Sequence, residues 1–205
     1  MGRKNLTTFK CEQLLLVEGQ DEFGFLVRLL EFLKIETVQL HMLNGIDNLA
    51  GVLRLLPKTP GFDKVKRIGL LLDSDSDPAA RIQSIRASLS HAGLASPAMP
   101  LTFSGTPSVV YTTVPSHELP GCLEDLIMQS AVGTGIANCV DTFLSCSAVQ
   151  RTDIGSRYSK SWVHSLLSAS EKPGLKIGEA TTAKLINVEH EAFEPIRVFL
   201  ALLTT

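Results

Sequence analysis

The first half of the chain alternates short apolar runs with longer stretches in which apolar residues return every three or four positions, as βαβ units do. Four runs predict strands: Gln13 to Val17, Val38 to Leu43, Arg67 to Leu72 and Val109 to Val114. Between the first two, Glu22 to Leu33 is mostly apolar and is interrupted by Glu22, Arg28 and Glu31, which predicts a largely buried helix with a narrow solvated stripe. Ile46 to Leu56 predicts a second helix closed by Pro57. A third places Ala79, Ile82, Ile85, Leu89 and Ala92 on one face and Arg81, Gln83, Ser84 and Arg86 on the other. Asp77-Pro78 starts it as cap and first-turn proline, and Gly93 stops it.

Beyond Pro115 the strand signals fade. Helices are predicted over Leu123 to Ser130, Val140 to Val149, Lys160 to Ser168 and Phe193 to Leu203, with "SEKPGLKIG" as the loop between the last two. Strands alternating with helices imply a mostly parallel sheet. No repeat, low-complexity tract or long linker divides the chain, so one α/β domain is expected over residues 1–205. Its parallel sheet with flanking helices occupies about residues 10–115, and a helical extension about 116–205.

Composition narrows the function. At 44% hydrophobic residues and a mean hydropathy of +0.19, the chain can bury a sizeable core and keep apolar surface for self-association as a homo-oligomer. A net charge of −2 and a pI near 6.2 lack the basic excess of an autonomous duplex-binding module, so any contact with nucleic acid must be local or assisted by metal. Cys11, Cys122, Cys139 and Cys146 form no C-x-x-C pair, which argues against zinc ribbons and thioredoxin-type sites and for isolated buried thiols. The five histidines show no helical pairing of the kind that holds zinc. Arg3 and Lys4 precede an apolar run too short for a signal peptide, and no run reaches a membrane span. A soluble, cytoplasmic protein without membrane contact is expected.

The candidate chemistry lies in carboxylates. "LLLVEGQDEF" runs from a strand into Glu18, Gly19 and Asp21, and "RIGLLLDSDSDP" runs from another into Asp73, Asp75 and Asp77. In a parallel sheet both strands deliver these groups to one edge, where ligands of open α/β sheets bind. If the strand persists, Asp73 and Asp75 point the same way. Carboxylates about 4 Å apart repel by roughly 4 kcal/mol at an effective dielectric near 20, so such a cluster calls for a cation or a raised pKa. Mg²⁺, or Mn²⁺ in its place, suits one or two carboxylates plus substrate phosphate. Each acid has a structural alternative: Asp77 and Asp21 as helix caps, Asp75 as a turn residue.

Strand, Glu18-Gly19, second strand, Gly45, third strand and Asp73-x-Asp75 resemble the Toprim domain of topoisomerases, primases, recombination mediators and certain nucleases, over about residues 10 to 115. The resemblance implies that Glu18 is a general acid or base or an additional metal ligand, and that Asp73 and Asp75 hold divalent metal. "LPGCLEDLIM" and "KPGLKIGEATTAKL" resemble small stand-alone Toprim-like proteins partly similar to the overcoming-lysogenization-defect nucleases. In those nucleases further acids build a second metal site, which makes Glu124 and Asp125 candidates; N-terminal helix capping is the alternative for both. The departures limit the function. Only Tyr111 and Tyr158 are available as tyrosine nucleophiles, no zinc module is present, and no phosphate-binding loop of the G-x-x-x-x-G-K-[ST] type occurs.

Positive charge is modest. Lys58, Lys64, Lys66 and Arg67 fall at the amino-terminal edge of the sheet, away from the acids, whereas Arg151, Arg157 and Lys160 fall near the helical half. Lys160 and Lys176 are the candidates for contact with phosphate. The leading expectation is a Mg²⁺-dependent phosphodiesterase acting on DNA or RNA. The alternative is a non-catalytic module that binds a nucleotide or nucleic acid through metal as part of a larger complex.

Overall fold

The computed structural model describes residues 8–146 and 157–205. Four parallel strands, β1 (Gln13–Val17), β2 (Val38–Met42), β3 (Arg67–Asp73) and β4 (Ser108–Val114), form one sheet in the order β2-β1-β3-β4. Val17 lies level with Met42 on one side and Leu71 on the other, so the carboxyl ends of the strands are in step.

Period-two alternation divides the buried strand residues between the two faces. Leu14, Leu16, Ile68, Leu70, Leu72, Val109 and Tyr111 meet Leu49 and Leu53 of α2 (Leu49–Leu55) and Ile85 and Leu89 of α3 (Pro78–His91). Leu15, Val17, Leu71, Val110 and Val114 meet α1 (Gln20–Phe32) and the helices of the C-terminal half. These are α4 (Leu123–Ser130), α5 (Gly135–Ser145), α6 (Arg157–Ser168), α7 (Ile177–Thr182) and α8 (Glu194–Thr204). The protein is thus α/β, with an all-parallel sheet between helices and a helical C-terminal half.

The two helical layers are held differently. α8 lies directly on β3, where a Cβ on Gly69 would stand 3.0 Å from Leu203 Cδ2, and it buries Ile196, Phe199, Leu200 and Leu203. At roughly 1.5–3 kcal/mol for each side chain taken from water, this seals the far end of the layer. α7 meets α1 where Gly178 and Gly24 face each other backbone to backbone. α6 is pinned to α5 by the Tyr158 hydroxyl and the Trp162 indole N–H, which both donate to Asp141 Oδ1 at 3.1 Å.

Several expectations need correction. The helix expected over Val140 to Val149 begins at Gly135, because Thr134 caps it by accepting from the Ala137 amide; its expected end at Val149 lies outside the described residues, as do Arg151 and the side chain of Arg157. The "SEKPGLKIG" loop leads into α7, whose six residues are too few for a periodic signal. Glu22 and Arg81, assigned by periodicity to solvated stripes, are buried, at 7% and 9% exposure. Of the cysteines only Cys122 is buried; Cys139 and Cys146 are exposed and Cys11 is half-buried, and none is in a disulfide. Among the described residues no helix is long and apolar enough to cross a membrane.

Candidate metal centre

The chain leaves β1 toward β2 and returns on its other side as β3, so β1 and β3 flank the point where the winding reverses, the usual place for a ligand in such sheets. Glu18 follows β1 directly and Asp73 is the last residue of β3. Asp73 is in phase with Leu71, which places its side chain on the face covered by α1 and the C-terminal helices.

The segment after Pro120 folds back over this edge. Asp75 and Gly121 exchange backbone hydrogen bonds of 2.9 and 2.7 Å. Gly121 has φ 138°, and a Cβ there would stand 2.6 Å from Asp125 Oδ2, so only glycine fits. Cys122 caps α4, and the Leu123 amide donates to Asp73 Oδ1 at 3.2 Å. One ligand atom each from Asp73, Cys122 and Glu124 then falls within 4.8 Å of the others, and all three residues are buried. Glu22, from the first turn of α1, and Lys160, from α6, act electrostatically on the same group.

Charge in this pocket is undercompensated. Asp73 is held well above the ordinary carboxylate range, first by burial and then by Glu22, Glu124 and Glu18, with Lys160 acting in the opposite sense. Burial also raises Glu18; Arg81, Lys160 and the backbone of Asp73 hold it back, while Asp75 pushes it up. Glu22 is raised by burial, against the amide hydrogen bonds it accepts, and by Glu124 and Glu18. Burial would lower Lys160, but Glu124, Asp73, Cys122 and Glu22 carry it above its usual value, so it stays cationic. Glu18 Oε2 and Glu124 Oε2 are buried without a hydrogen-bond partner among the described residues. Buried carboxylate oxygens without donors are costly unless a cation or proton meets them.

The remaining sequence candidates take other positions. Asp75 does not continue the strand: its φ is 54°, and its carboxylate forms an ion pair with Arg81 of α3. Asp77 caps α3 by accepting from the Ala80 amide at 2.9 Å. Asp125 accepts from the Cys122 amide at 2.8 Å, the capping arrangement. Glu22, rather than Asp21, accepts from the Gly19 amide at 2.9 Å; Asp21 is half-buried in the first turn of α1. Gly45, at φ 107°, donates its amide to the Glu18 carbonyl at 3.0 Å and so ties the loop after β2 to the end of β1. Lys176 is exposed at the start of α7.

The oxygen donors of Asp73, Glu124 and Glu18 match the hard-ligand preference of Mg²⁺ or Mn²⁺, and the two unpartnered carboxylate oxygens supply free coordination capacity. The residues therefore fit a divalent ion. Sequence reasoning missed Glu22, Arg81 and Cys122. The available signals were the acid pair Asp21-Glu22, only one of which is needed as a cap, and the position of Cys122 two residues before Glu124.

Comparison with curated proteins and with solved structures gives no match. A family model matches residues 12–205, spanning both the strand ends and the C-terminal helices that build the acidic pocket, and by that match the chain belongs to the DUF3226 family, proteins of unknown function.

Proposed function

We propose that the protein is a Toprim-type, metal-dependent phosphodiesterase that cleaves DNA or RNA, with Mg²⁺ or Mn²⁺ held by Asp73 and Glu124 and with Glu18 beside them. The observation that carries this reading is the pair of buried carboxylate oxygens on Glu18 and Glu124 that have no partner among the described residues, on two residues whose charges act on Asp73 at the reversal point of a parallel sheet. The order strand, Glu18-Gly19, strand, strand, Asp73 supports it through the Toprim resemblance.

A divalent ion bound there supplies neutralisation of a phosphate and a water of lowered pKa. Lys160, cationic and half-buried, would receive a phosphate oxygen, a reading its coupling to Glu124 and Asp73 supports. Glu18 is poised to take or give a proton, because burial favours its protonated form while Arg81 and Lys160 keep the ionised form within reach. Arg81, fixed by Asp75, sets that balance.

The test is Mn²⁺ binding by calorimetry alongside cleavage of labelled single- and double-stranded DNA and RNA, with Mg²⁺ and with Mn²⁺. Turnover on any of them supports the enzyme. Metal and nucleotide binding without turnover assigns the chain to the non-catalytic module of a larger complex. No binding of either ion, with nucleotide present, removes both readings.

A further inference from the structure

Cys122 is an unusual neighbour for a magnesium site. Mg²⁺ takes oxygen ligands and has little affinity for sulfur, whereas zinc and its softer relatives combine thiolate with carboxylate. The Cys122 side chain is fully buried at the start of α4, with Sγ 3.3 Å from Asp125 Oδ2 and 3.5 Å from Ser159 Oγ. Its sulfur, an oxygen of Asp73 and an oxygen of Glu124 lie within 4.8 Å of one another. Ligand atoms of a tetrahedral zinc are roughly 3.5 Å apart, so the three must draw together by roughly 1 Å on binding. Independently of the cysteine, Glu124 is 3% exposed and its Oε2 has no donor among the described residues, which leaves that oxygen available as a ligand.

We propose that this centre is also a thiophilic metal site, in which Cys122 Sγ, Asp73 and Glu124 bind a zinc-class divalent ion in competition with Mg²⁺. On binding, a metal–sulfur bond forms and the thiol proton leaves to solvent. The proposal rests on the metal-binding part of the phosphodiesterase reading and not on cleavage. A shared Asp73 and Glu124 mean that one ion excludes the other, so zinc-class ions inhibit whatever Mg²⁺-dependent chemistry the site performs.

Cd²⁺ serves as the probe, because its bonds to thiolate give an ultraviolet charge-transfer band that Mg²⁺ and carboxylates do not. The full chain carrying Cys11→Ser, Cys139→Ser and Cys146→Ser is stripped with chelator and titrated with Cd²⁺ and with Mg²⁺, by absorbance and by calorimetry. The expected result is one equivalent of Cd²⁺ with a thiolate band, and competition by Mg²⁺. Adding Cys122→Ser should abolish the band and weaken Cd²⁺ by at least about 10- to 100-fold, the scale on which even outer-shell partners act. Serine is a preferred N-cap, so the start of α4 is preserved. Asp73→Asn in the triple variant is the second arm, and it should weaken Cd²⁺ while leaving Cys122 in place. No band in the triple variant, or a band indifferent to Asp73→Asn, overturns the proposal. Cd²⁺ binding through Cys122 in a protein that binds neither Mg²⁺ nor Mn²⁺, with nucleotide present, would leave the thiolate site standing, overturn the competition and remove the phosphodiesterase reading.

Discussion

Asp73 and Asp75 leave the same strand two residues apart and end in opposite electrostatic settings. Asp75 turns out of the strand into a left-handed position, stays half exposed and has a guanidinium, Arg81, as its partner. Asp73 continues the strand alternation into the helical layer, is buried, and meets Glu22, Glu124 and Glu18, with Lys160 acting against them. The neutralised acid belongs to the turn that shapes the site, and the acids left uncompensated are the ones that call for a cation. Both are aspartates at the end of one strand, so the difference comes from the turn at Asp75 and from what the C-terminal half brings over β3.

The sharpest break in this contrast is Asp73→Asn. As Asp73 lies at the centre of the acidic pocket, the substitution should abolish Mn²⁺ binding and cleavage together, because the ion both neutralises phosphate and activates water. Calorimetry and the nucleic-acid cleavage assay on one preparation check this, and retained metal binding would move the centre away from Asp73. Glu18→Gln comes next. It should leave metal affinity largely intact while slowing turnover by about 10²- to 10⁴-fold, the usual worth of a positioned acid or base; equal loss of both would make Glu18 a ligand instead.

The fold was largely legible because its strands announce themselves. Gln13 to Val17 carries three leucines and a valine, and the cap at Asp77 with Pro78 marks α3 to the residue. What was not legible depends on pairing at a distance. Periodicity assigns Arg81 to the polar face of α3, but only the turn at Asp75 explains why the guanidinium is buried. The inference that Asp73 and Asp75 address one centre assumed an extended Asp75, and the backbone bridge to Gly121 ends the strand before it. Cys122 carries no motif of its own. It enters the site because the Leu123 amide reaches Asp73 across a separation of 50 residues, which no local pattern encodes.

The uncompensated acids should also show in stability. A carboxyl whose pKa is raised in the fold favours its protonated form, so its contribution is fully present below the unfolded value, about pH 4, and is lost as pH rises through the raised folded value. Asp73, Glu18 and Glu22 are all raised in this way. A tenfold difference in proton affinity between the folded and unfolded chains corresponds to about 1.4 kcal/mol. In chelator, thermal stability should therefore fall from mildly acidic to neutral pH, and Asp73→Asn should flatten the slope and raise the neutral-pH Tm. Saturating Mn²⁺ should restore wild-type stability at neutral pH, since an ion that binds the folded state replaces the missing proton. A metal-free wild type with the same slope as Asp73→Asn would show that the buried pocket is not where the charge is stored.

The smallest expected effect tests the other half of the contrast. Asp75 is half exposed and paired with the buried Arg81. If its work is to hold Arg81, Asp75→Asn should reduce Mn²⁺ affinity far less than Asp73→Asn does. It should also act on Glu18 in a definite direction. Asp75 raises the Glu18 pKa whereas Arg81 and Lys160 lower it, so removing the Asp75 charge leaves the two cations without that opposing charge. The acid limb of the pH–rate profile, where Glu18 must be ionised to accept a proton, should then move to lower pH. Calorimetry on the two asparagine variants and a pH–rate profile of Asp75→Asn provide the measurement. Equal loss of metal in both variants would make Asp75 a ligand that leaves Arg81 when the ion arrives, and the two acids would no longer differ in kind.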